Sequence, residues 1–564
     1  VFALKIENGE LLKNHNMRLA EGLFLFRREG LCTERICFNG LVTILSIRRK
    51  RVNARTTTAD GATGRRRLQL WRKTGDHVKI WTLFRRVSVD KGRHVLLNDS
   101  RNRKGIWGME TKLKKKYGLF TAISMVVGIV IGSGVFFKAE KILNVTGGDL
   151  PLGILAWVIG GVIMMVCSYV FAVMATKYEY VNGVVDYSEV TVGKKYGYMM
   201  GWFFATIYYP TLTSVLAWVS ARYTAVLFGW SIVGPECMVI SAFFLIASYA
   251  VNALSPKIAG KFQVTTTVIK LIPLLLMGVV GLIVGLVSGM TVENFSNAVT
   301  EVTSKSGALL TAVCATAFAY EGWVIATSIN AELRDAKKNL PRALVIGALI
   351  VIVVYILYYV GLAGVVPNAT LMENGQEGAR LAFAGLFSNV AGTLLFVFVI
   401  ISCLGTLNGL MMGCTRGFYS LAARNVGPSP ETYIEVSPKT NMATNSSALG
   451  LLFAGAWLAY FYGANLVETS WFGVLSFDSS ELPIITVYAM YIPMFIMFMI
   501  KQKDLGWFKR ILMPALGVAG CLFMVYAAIV SHKMAVVWYL VIFAAIMIVG
   551  IFFGRTKKLD GGKQ

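Results

Sequence analysis

Phe318-Ala319-Tyr320-Glu321-Gly322-Trp323 puts a carboxylate and a glycine near the middle of an apolar stretch of membrane length, 308–329. A charge at that depth is costly and an unbroken helix gains nothing from it, so such a residue marks a functional site. A second interruption, Gly132-Ser133-Gly134, falls near the middle of another apolar stretch, 119–138. Glycines there let the backbone leave helical geometry and expose N–H and C=O groups, which lipid tolerates only where they line a cavity. Taken alone, the triplet fits a small-residue packing face equally well. The two interruptions stand five spans apart, the spacing of an inverted repeat whose broken helices meet at the midplane. Half-helix N-termini then offer N–H groups to a carboxylate, and unwound carbonyls accept from an ammonium. Such a site suits a zwitterion, above all the α-amino and α-carboxyl groups of an amino acid.

Lys270 is the other charge set inside an apolar stretch. It lies six residues into the run 264–287, roughly 9 Å along a helix, from where its ammonium can snorkel to the nearer interface or act within the bundle. Glu321 also leaves two roles open, carrying a proton or staying ionised against a cation or backbone donors. No zinc-ligand spacing, phosphate loop or nucleophile elbow occurs, and His15, His77, His94 and His532 all fall outside the predicted spans. No enzymatic activity, metal or cofactor is expected. Cys167, Cys314, Cys403, Cys414 and Cys521 lie in apolar helices, where Cys acts as a small hydrophobe; Cys237 alone is placed for an extracellular disulfide.

The elements that must position these residues are membrane helices. The chain is 56% hydrophobic and only 15% charged, the composition of an integral membrane protein. Apolar runs of spanning length occur at 119–138, 152–175, 197–220, 233–254, 264–287, 308–329, 343–365, 391–413, 446–465, 482–500, 511–530 and 535–553. The expected fold is therefore all-α, with twelve transmembrane helices: repeats at about 119–287 and 308–500, broken helices 1 and 6, and two extra helices at 511–553. Lys114–Lys116, Lys194/Lys195, Lys257/Lys261, Lys337/Lys338, Arg416/Arg424, Lys501/Lys503 and Lys557/Lys558 fall at every second loop or end. By the positive-inside rule those ends, and both termini, are cytoplasmic; the tail is 556–564.

Of the formal charge of +25, +18 sits in residues 1–116, which hold 28 Lys and Arg against 10 Asp and Glu. The apolar bits of this stretch are too short to span. Its clusters, Arg48-Arg49-Lys50-Arg51 and Arg65-Arg66-Arg67, have the chemistry to bind anionic lipid or nucleic acid, but no nucleic-acid partner is expected. Residues 1–108 instead read as an upstream in-frame extension of a transporter body covering 109–555, because the chain opens on Val1 while Met109-Glu110-Thr111-Lys112 looks like a bacterial start.

Gly128-Ile129-Val130-Ile131-Gly132-Ser133-Gly134-Val135-Phe136, the Phe318–Trp323 element and Asn330-Ala331-Glu332-Leu333-Arg334-Asp335-Ala336-Lys337-Lys338-Asn339-Leu340-Pro341-Arg342-Ala343 resemble the amino acid–polyamine–organocation superfamily. Within it they are most similar to the L-type amino acid transporter family, in its bacterial branch of small neutral amino acid exchangers. Gly405-Thr406-Leu407-Asn408-Gly409 and Ala422-Ala423-Arg424-Asn425-Val426-Gly427-Pro428 extend the likeness, which covers about residues 112–555. Two departures stand out. Tyr180-Val181-Asn182-Gly183 lacks the proline and second glycine usual after span 2, and Phe228–Glu236 lacks the cysteine that bonds a heavy chain in animal members, so no disulfide-linked partner is expected.

The resemblance implies that backbone at Ile131, Gly132, Ser133 and Gly134 holds the substrate carboxylate, and that carbonyls of the Phe318, Ala319, Tyr320, Glu321 and Gly322 segment receive the ammonium. Within that segment the ammonium falls to the carbonyls of Phe318, Ala319 and Glu321, with Tyr320 and Gly322 completing the substrate-binding set; the resemblance also implies that Phe318 is an aromatic gate and that the Lys270 ammonium replaces the sodium ion of sodium-coupled relatives. The expected function is sodium-independent exchange of small neutral L-amino acids across a bacterial plasma membrane by alternating access. The alternatives are a proton-coupled symporter, a cationic amino acid or polyamine exchanger, and a transporter-like nutrient sensor. Mass spectrometry of the natively expressed N-terminus checks the leader: a start at Met109 is expected, and peptides from residues 1–100 would contradict it.

Overall fold

The computed structural model describes residues 114–178 and 182–554. The leader with its Cys and His residues, Met109–Leu113, Tyr180, Val181 and the tail from Arg555 lie outside them. Among the described residues, twelve helices are long and apolar enough to cross a membrane. Spans 1 to 6 are Leu119–Phe136, Leu150–Lys177, Lys194–Phe228, Pro235–Leu254, Lys257–Ser288 and Lys305–Glu332. Spans 7 to 12 are Ala336–Ala363, Asn389–Ala422, Thr444–Asn465, Leu482–Lys501, Phe508–His532 and Met534–Phe553. Spans 4 and 12 are only 22% and 17% buried; they turn Val239, Phe243, Ile246, Val541, Ile548 and Phe552 outward, a surface that hydrocarbon accepts and water does not.

The packing follows the repeat. Span 2 lies along span 7 and span 3 along span 8; span 1 meets span 7 as span 6 meets span 2, and span 3 meets span 4 as span 8 meets span 9. Adding five to each span number carries the contacts of the first repeat onto the second. Because five is odd, successive repeats cross in opposite senses, so the fold is a 5+5 inverted repeat with two extra helices.

The main boundary differences arise where polar residues belong to helices. Span 5 begins at Lys257 rather than 264, capped by the Ser255 hydroxyl accepting from Ile258 N, with Pro256 in its first turn, where a missing N–H costs nothing. Lys270 thereby lies about 20 Å along the helix rather than 9 Å, too deep to snorkel, and is fully buried. His532 is the last residue of span 11 rather than a loop residue, and Cys237 is a buried free thiol, not a disulfide donor. Beyond the departure after span 2, Gly183–Thr191 forms a helix.

The ends that carry most basic residues are laced by buried charges. Glu332, at the end of span 6, accepts from Arg416 Nε at 2.5 Å and has Lys116 Nζ at 3.6 Å, with its own side chain fully buried. Its carbonyl accepts from Lys116 N at 2.7 Å, and Arg334 N donates to Tyr117 O at 2.8 Å. Arg424, at the foot of span 8, pairs with Asp186 and with Glu189 at 3.0 Å. Arg416→Met would strand the Glu332 carboxylate, a change that costs roughly 3–5 kcal/mol for a buried pair. A large fall in melting temperature and monodisperse yield in detergent is expected, and an unchanged melting curve would refute it.

Candidate functional site

Both expected helix breaks form. The helix Leu119–Val130 ends at Ile131, whose φ of −75° and ψ of 90° turn the chain out of helical geometry, and Gly134–Val145 restarts it. In span 6 the helix Lys305–Ala319 ends at Tyr320, and a 3-10 helix, Trp323–Glu332, completes the crossing. Gly322 joins the two at φ +104°, and a Cβ there would stand 2.7 Å from Ile129 Cγ2. Only glycine suits both constraints. A Cβ on Gly134 would stand 2.6 Å from Ala319 Cα, so the two breaks are in direct backbone contact.

Lys270 reaches the first break from span 5. Its Nζ donates to Gly128 O at 2.7 Å, Ile131 O at 2.5 Å and Ser402 O at 2.9 Å, with Thr406 Oγ1 at 3.3 Å. Three carbonyls satisfy the three N–H donors of an ammonium. Two of them belong to the C-terminal end of Leu119–Val130, where the helix dipole is negative. Ser402 Oγ lies 3.1 Å from Gly132 O, and Gly132 packs so closely on Thr406 that a Cβ would meet its Oγ1 at 2.9 Å. The glycines of the Gly405–Gly409 motif serve the same junction: a Cβ on Gly405 would fall 2.4 Å from Thr266 Oγ1, and one on Gly409 2.3 Å from Ile129 Cγ1.

A small cavity lies at the junction. Gly132, Ser133, Gly134, Phe318, Glu321 and Gly322 line it with apolar Leu212, Leu216 and Ile484. Ile131, Ala319 and Tyr320 do not. The Ile131 carbonyl is taken by Lys270, the Ala319 carbonyl accepts from Tyr355 Oη at 2.9 Å, and Tyr320 Oη turns to Trp157 O at 3.0 Å. The Ser133 hydroxyl is buried and makes no hydrogen bond of normal geometry within the protein.

Glu321 is 5% exposed and accepts from the Tyr208 hydroxyl. Among the described residues no cation lies within ion-pair distance of it. Tyr208 ends a π-helical turn, Phe204–Tyr208, in span 3; such turns re-aim side chains and recur at functional sites. Phe318 is half-buried, and Lys138 Nζ stands 5.0 Å from its ring centroid. Tyr355 Oη also lies 2.9 Å from Val130 O, so its single proton is shared between carbonyls of the two breaks. Tyr208, Tyr355 and Ser402 are the residues that sequence reading missed. Nothing distinguishes them among the many tyrosines and serines of the spans except that each lies on a helix beside a break.

Comparison with known proteins agrees with this architecture. A family model described as amino acid permease matches residues 117–553. The chain is 29% identical over 431 residues to the serine/threonine exchanger SteT of Bacillus subtilis, covering 75% of this chain and 93% of that protein. It is 28% identical over 313 residues to the human b(0,+)-type amino acid transporter 1, covering 55% of this chain and 63% of that protein. It is also 28% identical over 334 residues to the large neutral amino acids transporter small subunit 2 of Rattus norvegicus, at 57% and 61% coverage. Paired helix breaks, an inverted repeat and a match over nearly all the described residues lead to one assignment: the chain belongs to the amino acid permease family, a family of membrane transporters rather than enzymes.

Proposed function

We propose that the protein exchanges small neutral L-amino acids across a bacterial plasma membrane, without sodium, by alternating access. The observation that carries this reading is the Lys270 ammonium, held by carbonyls of Gly128, Ile131 and Ser402 at the broken first span. With its donors used, it supplies a fixed positive charge where a cation-coupled carrier needs a mobile one. The N–H groups of Ser133 and Gly134, at the N-terminal end of the helix Gly134–Val145, receive the substrate carboxylate, beside Gly132, whose own N–H is held by Val130 O, and the buried Ser133 hydroxyl adds a donor. Carbonyls at Phe318 and Glu321 receive the α-ammonium, while that of Ala319 is engaged by Tyr355. Phe318 closes over the substrate. The apolar Leu212, Leu216 and Ile484 suit a small neutral side chain. The basic ends face the cytoplasm, as the positive-inside rule requires, and the carrier works without a disulfide-linked heavy chain. A relative that exchanges serine and threonine supports the same substrate class.

A second reading rests on Glu321, whose carboxylate lines the cavity and accepts from the Tyr208 hydroxyl and the Gly322 backbone rather than from a cation. It is placed to receive the side-chain ammonium of a cationic substrate, or a proton.

Counterflow of labelled alanine, serine, leucine and arginine into proteoliposomes tests both readings. Alanine and serine counterflow that persists when choline replaces sodium is expected. Lys270→Met should lower it about tenfold or more, since each hydrogen bond to a charged group contributes about 1.5–3 kcal/mol. No flux of any amino acid would sink the transport reading and favour a sensor.

Glu321→Gln separates the exchange reading from its rivals. The amide still accepts from Tyr208, so alanine counterflow within a few-fold of wild type and flat with pH fits exchange. Wild-type uptake that rises as the outside is acidified, with the rise lost in Glu321→Gln, fits proton coupling. Arginine counterflow lost only in the variant fits a cationic exchanger.

A further inference from the structure

On the face opposite the basic ends, three side chains that play no part in the zwitterion site converge. Cys314 lies on the half-helix Lys305–Ala319, one turn before Phe318. Glu481 immediately precedes span 10, and His532 ends span 11. His532 Nε2 is 3.0 Å from Glu481 Oε2 and 4.0 Å from Cys314 Sγ, and the three ligand atoms all lie within 4.8 Å of one another. We propose that Cys314, Glu481 and His532 form a binding site for a borderline-soft divalent cation of the zinc type, and that occupancy locks this face of the transporter.

The ligand set sets the class of ion. A thiolate and an imidazole suit zinc and disfavour calcium and magnesium, which take oxygen ligands. Ligands about 2.0–2.3 Å from a tetrahedral zinc stand about 3.4–3.8 Å apart, so the present spacing needs only small side-chain shifts. Three protein ligands leave the fourth position to water. Glu481 divides its two oxygens: Oε1 accepts from Lys138 and from Lys141 Nζ at 3.1 Å, leaving Oε2 for the site. A ligating carboxylate supported through its other oxygen is the usual outer-shell arrangement.

Binding releases the Cys314 thiol proton to water, and His532 ligates through Nε2 with its proton on Nδ1. A dication plus a thiolate raises the local charge by one. The Lys141 side chain is 41% exposed and can swing to water to relieve it. His532, 15% exposed, gives the ion its way in. Occupied, the site would staple the half-helix that carries Phe318 to spans 10 and 11, and alternating access requires that half-helix to move.

The full-length protein, stripped with chelator in detergent and titrated with cobalt(II), tests this without reference to transport. A thiolate-to-cobalt charge-transfer band saturating at one equivalent and bleached by zinc is expected. Cys314→Ser and His532→Gln should each weaken cobalt binding about tenfold or more, the minimum seen when even an outer-shell partner of a metal site is lost. Both variants should keep metal-free alanine counterflow, which certifies their folding. Zinc added to the face bearing His532 should suppress wild-type counterflow and spare both variants. Absence of the thiolate band in wild type overturns the proposal, as does cobalt affinity unchanged in both variants or zinc inhibition equal in all three proteins.

Discussion

The structure depends on one buried cation with no carboxylate beside it. Moving an ammonium from water into the bundle costs several kcal/mol, and Lys270 recovers this through three carbonyl acceptors at about 1.5–3 kcal/mol each. Two of those acceptors exist only because span 1 stops being a helix. In a continuous helix Gly128 O and Ile131 O would be bonded to N–H groups one turn on. The break therefore supplies the ligands for Lys270, and Lys270 removes the penalty that lipid-depth backbone otherwise carries. Neither half of this arrangement is stable without the other, which fixes spans 1, 5 and 8 as one unit.

The second break is fitted to the first rather than to its own helix. Gly322 takes a left-handed φ against Ile129, and Gly134 lies against the Ala319 backbone. Tyr355 then shares its one hydroxyl proton between Val130 O and Ala319 O. The orphan carbonyls at the two helix ends are thus shared out among Lys270, Tyr355 and Thr406. The cavity inherits what remains: the N–H groups of Ser133 and Gly134, the Ser133 hydroxyl and the Glu321 carboxylate, the Gly132 N–H being spent on Val130 O at 2.9 Å.

This division explains what the chain could reveal before folding. The breaks were legible because Gly132-Ser133-Gly134 and Glu321-Gly322 contradict their apolar surroundings, and the repeat because they stand five spans apart. Lys270 was legible as a buried charge, but its depth was misjudged: the polar turn from Lys257 to Gln263 hid the true start of span 5, and snorkelling looked open. Tyr208, Tyr355 and Ser402 were illegible because their types are ordinary in membrane helices. Their roles come from register, and for Tyr208 from a π-helical turn that no apolar pattern announces. Ile131, Ala319 and Tyr320 enter the substrate set through the family resemblance; in the fold the Ile131 and Ala319 carbonyls and the Tyr320 hydroxyl bond Lys270, Tyr355 and Trp157.

The remaining buried charges sit at the two ends of the bundle. Glu332 with Arg416 and Lys116 ties the end of span 6 to spans 8 and 1 on the basic face. Glu481 with Lys138 and Lys141 ties span 10 to the far half of span 1 on the opposite face. Each cluster thus holds one half of a broken helix, and Lys138 also touches the ring of Phe318. Buried ion pairs add little net stability, because their attraction is largely offset by desolvation. That balance suits a gate: opening one face rehydrates its charges, so the lost attraction is returned as hydration. The geometry is strict when closed and the difference between closed and open is small. Apolar packing of the same area would hold as tightly but give nothing back on exposure to water. Under the exchange reading proposed above, ionic contacts at both ends with the substrate cavity between them would let either face open at modest cost, with the carbonyl-bound Lys270 holding the centre.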